Sequence, residues 1–420
     1  MQRIAKFSRD LRALGWEPHV ITAEHVPGRP EDPSLEDDVV GIPVTRLPHH
    51  NATYAIARPL GVLKRLMRRG GAGAAPVGVS REGGASATGM PLSTRLVRWL
   101  CIPDEARRWA RSAVRHVKAT GGPFDAVLAS GPPYSTLIAG RRCAAALGVP
   151  LAIDMRDAWA TNPLFLRPTA LHRAIGDRQE RRVCEAAAIV TAVSPDIARE
   201  AAEFGARRVE VVPNGYDADE MPPLASSPDG PLVLGFMGRF YGLTDPTPLL
   251  DALQVVAADA EGPGVRFDVV GAASPAVTAA VHDRGLESVV RFHGYLPHGE
   301  ALSVMAAADV GVVVIADLPG ARSVYTGKLF EYLGMGLPVL LVGPTDGAAA
   351  ELIGTTRAGE VVAYGDVRGI SEIVRRMRRA KAAGQPLAAP ERERIERFER
   401  RKLAASLADL LEDAIGRTTV

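Results

Sequence analysis

Val233-Leu234-Gly235-Phe236-Met237-Gly238-Arg239-Phe240-Tyr241-Gly242 is an apolar run that enters a loop bounded by glycines, and Thr247-Pro248-Leu249-Leu250-Asp251-Ala252-Leu253 behind it has helical periodicity. Strand, tight loop and helix is the repeating unit of a parallel sheet, because a parallel partner can be reached only by a crossover. The alternation extends both ways from this unit. Towards the N-terminus strands are expected at His19–Thr22, Val44–Leu47, Ala126–Ala129, Leu151–Asp154, Ile189–Ala192 and Val209–Val212. From the quoted run onward they are expected at Val233–Met237, Arg266–Val270, Val289–Phe292, Val310–Ile315, Val339–Val342 and Gly359–Val362. Two consecutive doubly wound α/β domains follow from that order.

A chain of 420 residues is too long for one ordinary domain and suits two. Turn-rich Met221-Pro222-Pro223 through Gly230 marks the connector, so the expected division is 1–215 and 216–390, followed by a tail over 391–420. In that tail Ile395, Phe398, Leu403, Leu407, Leu410 and Leu411 form the apolar stripe of an amphipathic helix. The Gly/Ala/Ser-rich stretch Gly70–Met90 reads as a mobile loop, either an inert insertion or a substrate lid. A net charge of +2 gives no field suggesting nucleic acid, and Cys101, Cys143 and Cys184 lack disulfide or zinc spacing. No apolar run reaches the roughly 18 residues of a membrane span. Leu60, Val62, Leu63, Leu66 and Met67 interleave with Lys64, Arg65, Arg68 and Arg69, followed by Arg95, Arg98, Trp99 and Leu100. Such a basic amphipathic segment either packs on its own domain, the commoner fate, or docks on an anionic membrane surface. The expected location is cytoplasmic, with peripheral contact at the inner face of the membrane as the second alternative.

Two segments carry chemistry in the second half. In the quoted loop, Gly238 lets backbone approach a ligand and Arg239 can fork onto a diphosphate, although a strand–Gly–helix turn is common in any α/β protein. In Tyr325-Thr326-Gly327-Lys328-Leu329-Phe330-Glu331-Tyr332-Leu333-Gly334-Met335-Gly336-Leu337-Pro338, Lys328 and Glu331 share one face at the start of a helix. They can serve as a phosphate cation and a hydroxyl acceptor, or as a surface salt bridge. In the first half, Asp154, Arg156 and Asp157 follow a strand and either orient and deprotonate a hydroxyl or form an internal Arg–Asp pair. Ser130, Gly131 and Tyr134 open a helix that can meet phosphate or acceptor. His49, His50 and His293 are scattered, and no metal site is expected.

Lys328-Leu329-Phe330-Glu331-Tyr332-Leu333 resembles the donor helix of the family 4 retaining glycosyltransferases of GT-B fold, in the branch with Lys-x-x-Glu in place of Glu-x7-Glu. Further segments are similar to that family in order: Gly15-Trp16, Ile102-Pro103-Asp104 with Trp109, Ser130-Gly131-Pro132-Pro133-Tyr134-Ser135-Thr136, Asp154-Met155-Arg156-Asp157-Ala158-Trp159, Pro213-Asn214-Gly215-Tyr216-Asp217 and Phe292-His293-Gly294-Tyr295. The resemblance implies two Rossmann-like domains with a C-terminal helix crossing back to the first. It implies transfer of a sugar from a nucleotide diphosphate sugar to a hydroxyl, with no cofactor and no metal. Arg239 and Lys328, with Gly238, Thr326 and Gly327, would face diphosphate and sugar, Glu331 the ribose, and the backbone around Tyr295 the base. Asp157 and Glu331 are the candidate catalytic residues, and Ser130, Gly131, Tyr134, Asp154 and Arg156 the acceptor-side ones. The chain departs from the pattern at Ser323, where many relatives carry an acid, and at Thr244, where some carry a lysine.

The expected partners are a sugar nucleotide and a glycan or lipid-linked acceptor of surface polysaccharide or glycoconjugate synthesis. A sugar-nucleotide 2-epimerase of the same fold and a non-catalytic donor-binding subunit are the alternatives. Relatives begin with a strand and a Gly-rich loop before their first helix, whereas Met1-Gln2-Arg3-Ile4-Ala5-Lys6-Phe7 already reads as that helix. The expectation is a first strand missing from this sequence and a true start upstream of Met1.

Overall fold

The computed structural model describes residues 2–24, 34–49, 102–162, 167, 169–259 and 264–416. Gly70–Met90, the basic segments flanking it, His50 and Cys101 lie outside the described residues. The chain divides into two compact units, Met1–Val212 with Ala404–Val420, and Pro213–Leu403.

Among the described residues the first unit opens on the helix Gln2–Ala13 and contains six strands in parallel pairings, β1 (Val20–Ala23), β2 (Val44–Leu47), β3 (Val127–Gly131), β4 (Leu151–Met155), β5 (Ile189–Ala192) and β6 (Val209–Val211). They form two pieces: β1 pairs with β2, and a second sheet runs β3-β4-β5-β6. Helix Arg107–Thr120 lies against both. Its Trp109, Ala113 and Val117 pack on Ile21, Ala23 and Leu47 of the first piece and on Val127 of the second. In the larger sheet β4 and β5 are buried throughout, as central parallel strands covered by helices must be.

The second unit has one six-stranded parallel sheet of β7 (Leu232–Met237), β8 (Val265–Val270), β9 (Val290–Gly294), β10 (Val310–Val314), β11 (Val339–Val342) and β12 (Gly359–Val362). Its order is β9-β8-β7-β10-β11-β12. Successive strands therefore step outward from β7 in one direction and from β10 in the other, and the crevice beyond the carboxyl ends of β7 and β10 is the topological switch point, where open α/β sheets bind ligands. Side chains alternate between two cores. Val310, Val312, Val314, Leu340 and Val342 join Leu249, Leu253 and Phe267 on one face, while Val313, Val339 and Leu341 join Leu329, Phe330 and Tyr332 on the other.

The tail is two helices, Arg392–Glu396 and Arg400–Gly416. Ile395 and Phe398 sit in the second unit's core, and Tyr216 NH donates to the Phe398 carbonyl at 3.1 Å while Arg400 NH donates back to that of Tyr216 at 2.8 Å. Those bonds keep the chain with the second unit through Leu403. Beyond it Leu407 and Leu411 are buried, and Asp413 accepts from Arg208 of the first unit at 2.8 Å.

Candidate active site

The decisive geometry lies at the carboxyl end of β7. Gly238, at φ +130°, turns the chain there, and a Cβ on it would come within 3.1 Å of the Lys328 ammonium. Lys328 is on the first turn of the helix Gly327–Met335, which Gly336 ends in left-handed geometry at φ +74°. The ammonium lies over the Phe236 ring, 3.7 Å from its centroid, and makes no ion pair or hydrogen bond among the described residues. Burial pulls it down to about 7, against the opposing pull of Glu331. Tyr332, on the same helix, receives the Met237 NH at 3.0 Å, which pins the helix to the end of β7.

Glu331 is buried, and that raises its carboxyl above the ordinary value, with His298 and then Arg400 pulling the other way. Its Oε1 is 3.4 Å from His298 Nε2, and the same nitrogen is 3.8 Å from Glu220 Oε2. At the start of the helix, Thr326 occupies the cap position without a side-chain capping bond, and its hydroxyl is buried without a partner. The Leu329 NH donates to the Thr326 carbonyl at 3.1 Å, so of that first turn the amides of Gly327 and Lys328 remain open to an anion. Arg239 is exposed on the neighbouring loop, and Tyr295, 61% exposed, follows β9.

The first unit treats its charges differently. Asp154, on β4, accepts from Arg3 at 2.8 Å, Ser130 Oγ at 2.8 Å and Thr191 Oγ1 at 3.0 Å. Burial raises its carboxyl, but Arg3, then Ser130 and Arg156, outweigh that and hold it below the ordinary range. Tyr134 is buried and stacks on Trp159 with centroids 4.7 Å apart, and its hydroxyl donates to the Ala158 carbonyl while accepting from Asn162. Arg156 donates to the Pro132 carbonyl. Glu200 gathers the backbone NH groups of Trp159, Ala160 and Thr161 at 2.6, 2.9 and 3.0 Å and fixes the loop after β4. On that loop Asp157 is exposed as a residue, yet the protein crowding its carboxyl pushes it up to about 6, with Arg156 opposing.

Residues 2–215 match the family described as Glycosyl transferase 4-like domain, and residues 231–379 match Glycosyl transferases group 1. The chain belongs to the glycosyl transferase 4-like family. It is a glycosyltransferase, an enzyme of GT-B fold. Among curated proteins it is similar to a 2-deoxystreptamine N-acetyl-D-glucosaminyltransferase of Streptomyces fradiae, 26% identical over 74% of this chain and 69% of that protein. It is also similar to a 2-deoxystreptamine glucosyltransferase of Streptomyces kanamyceticus, 27% identical over 57% of this chain and 64% of the other. Among solved structures, sucrose-phosphate synthase of Thermosynechococcus elongatus superposes with a TM-score of 0.66 at 15% identity, covering 99% of this chain and 93% of that one. HepE of Anabaena in complex with UDP-glucose does so with 0.64 at 16% identity, covering 98% and 95%. At such identities the superpositions carry the fold alone.

In this glycosyltransferase the donor-side residues read from the sequence, Gly238, Arg239, Tyr295, Thr326, Gly327, Lys328 and Glu331, all lie at or just beyond the carboxyl ends of β7 and β9 or on the helix that follows β10. Of the acceptor-side residues, Ser130, Tyr134, Asp154 and Arg156 have polar atoms bonded within the first unit, Gly131 ends β3 with Leu137 where its side chain would be, and Asp157 carries the perturbed carboxyl. Thr244, at the lysine position of some relatives, is buried and donates to the Arg239 carbonyl at 2.8 Å, so it shapes the loop. The Ser323 hydroxyl donates to the Gly320 carbonyl at 2.9 Å. Sequence reading missed His298, Glu220 and Phe236 as neighbours of the Lys328–Glu331 pair. The available signal was Pro297-His298, a proline-led helix start just after a strand end.

Proposed function

We propose that this glycosyltransferase moves a hexose-type residue from a nucleoside diphosphate sugar to a hydroxyl of a small polyhydroxylated acceptor, with retained configuration. The observation that carries the donor half is the Lys328 ammonium, unpaired beside the uncapped start of the helix Gly327–Met335 at the switch point. A diphosphate supplies the missing counter-charge: Lys328 and Arg239 meet its oxygens, the NH groups of Gly327 and Lys328 bond it, and the developing charge on the leaving group finds these donors already in place. Glu331 accepts the ribose hydroxyls, and Tyr295 lies where the base enters. Asp157, at about 6, is largely ionised near neutral pH and suits the acceptor hydroxyl as a base. Asp154, Ser130, Tyr134 and Arg156 hold the loop that carries it.

For the acceptor, the two Streptomyces relatives are named for transfer to 2-deoxystreptamine, which supports a small aminocyclitol-like molecule ahead of a polysaccharide. The test is release of nucleoside diphosphate from a panel of UDP-, GDP- and TDP-sugars with 2-deoxystreptamine, a lipid-linked sugar or no acceptor. Release that needs 2-deoxystreptamine supports the proposal. Epimerised donor formed without any acceptor contradicts it, as does release with the lipid-linked sugar alone.

A further inference from the structure

His298 has no place in the functional reading above, yet it is the one group within ion-pair distance of Glu331 among the described residues. Its ring is four-fifths buried, and Nε2 lies between two carboxylates, 3.4 Å from Glu331 and 3.8 Å from Glu220. A nitrogen in that place is useful as a donor. With a hydrogen on Nε2 the ring donates towards the two carboxyls and ties them together. The other cations cannot substitute. Arg400 is committed to the Gly215 carbonyl at 2.8 Å and to Asp217 at 3.3 Å, and Lys328 reaches no carboxylate.

We propose that His298 is a positioning residue, whose ring bridges Glu331 and Glu220 and holds the Glu331 carboxyl in place for the donor ribose. The inference rests on the donor reading of Glu331. Its consequence is specific: the part of the affinity that comes from the ribose hydroxyls depends on His298, while the part that comes from the diphosphate does not.

The experiment compares the dissociation constants of UDP and 2′-deoxy-UDP, or of the guanosine pair if GDP binds more tightly, for wild type, His298→Gln, Glu220→Gln and Glu331→Gln. Wild type is expected to prefer the ribonucleotide by about tenfold, the worth of one charged hydrogen bond. His298→Gln removes the preference while leaving the affinity for 2′-deoxy-UDP as in wild type. Glu220→Gln, at the half-buried end of the bridge, reduces the preference. A His298→Gln protein with the wild-type preference overturns the inference if Glu331→Gln has lost it, and so does an undiminished preference in Glu220→Gln. If Glu331→Gln keeps the ribose preference, or no diphosphate binds the wild type, the donor reading itself falls and the inference with it.

Discussion

Each unit places a buried charged cluster at the carboxyl end of a parallel sheet, and the two clusters are in opposite states. Around Asp154 both carboxylate oxygens are bonded, by Arg3, Ser130 and Thr191, and the net effect is a carboxyl held below its ordinary range. Around Lys328 and Glu331 the charges are buried with few partners, and both groups are pushed towards their neutral forms. Burying a charge without a partner costs stability, and in the proposed function a ligand completes the second cluster, while the first is a finished piece of scaffold. Residue type and position after a strand are alike in the two places. What separates them is whether the polar atoms are satisfied.

The contrast is broken most severely by emptying one side of the finished cluster. Arg3→Ala leaves Asp154 charged, buried and short of its principal partner, and is expected to cost about 3–5 kcal/mol, seen as a lower denaturation midpoint or as insoluble protein. An Arg3→Ala protein as stable as wild type would show that the cluster is not scaffold. In the open cluster the expected result is the reverse. Lys328→Ala and Glu331→Ala leave the melting temperature near or above that of wild type but weaken nucleoside diphosphate binding by about 1.5–3 kcal/mol, roughly ten- to a hundredfold in dissociation constant. Calorimetry on both variants checks it, and unfolded variants or undiminished binding would erase the distinction.

A subtler effect sharpens the same comparison within the first unit. Glu180 is fully buried, and burial, with Glu200 beside it, pushes its carboxyl up to about 10 from an unfolded value of 4.5. The folded protein therefore keeps a proton that the unfolded chain gives up, so this group's contribution is complete below the unfolded value and is lost as pH rises towards 10. Glu180→Gln, which cannot ionise, is expected to flatten the fall of melting temperature between roughly pH 6 and 9. An equally steep fall in the variant would assign that dependence to other groups.

Much of the fold was legible because period and punctuation are local. Every expected strand has its counterpart, with ends displaced by no more than two residues, and Gly336-Leu337-Pro338 ended the helix where it was expected to. The division of the first unit's strands into two pieces was not legible, since hydrogen bonding between distant strands leaves no local mark. Nor was the state of the charges. Arg3 lies 151 positions from Asp154, so nothing near Asp154 announces its partner. On the donor side the residues were readable by their place after β7 and β10, but His298 was not, because it meets Glu331 through the sheet order.

The central claim, that a diphosphate completes the Lys328 cluster, is tested most directly by proton uptake on binding. Free Lys328, at about 7, is largely neutral at pH 8, and a diphosphate drawn against it restores its charge. Titrating the enzyme with UDP-N-acetylglucosamine or UDP-glucose at pH 8 in buffers of different ionisation enthalpy gives the number of protons taken up. The account predicts uptake approaching about one proton in wild type, and its loss in Lys328→Met, whose side chain cannot titrate. Binding with no uptake, or with the same uptake in Lys328→Met, would contradict it.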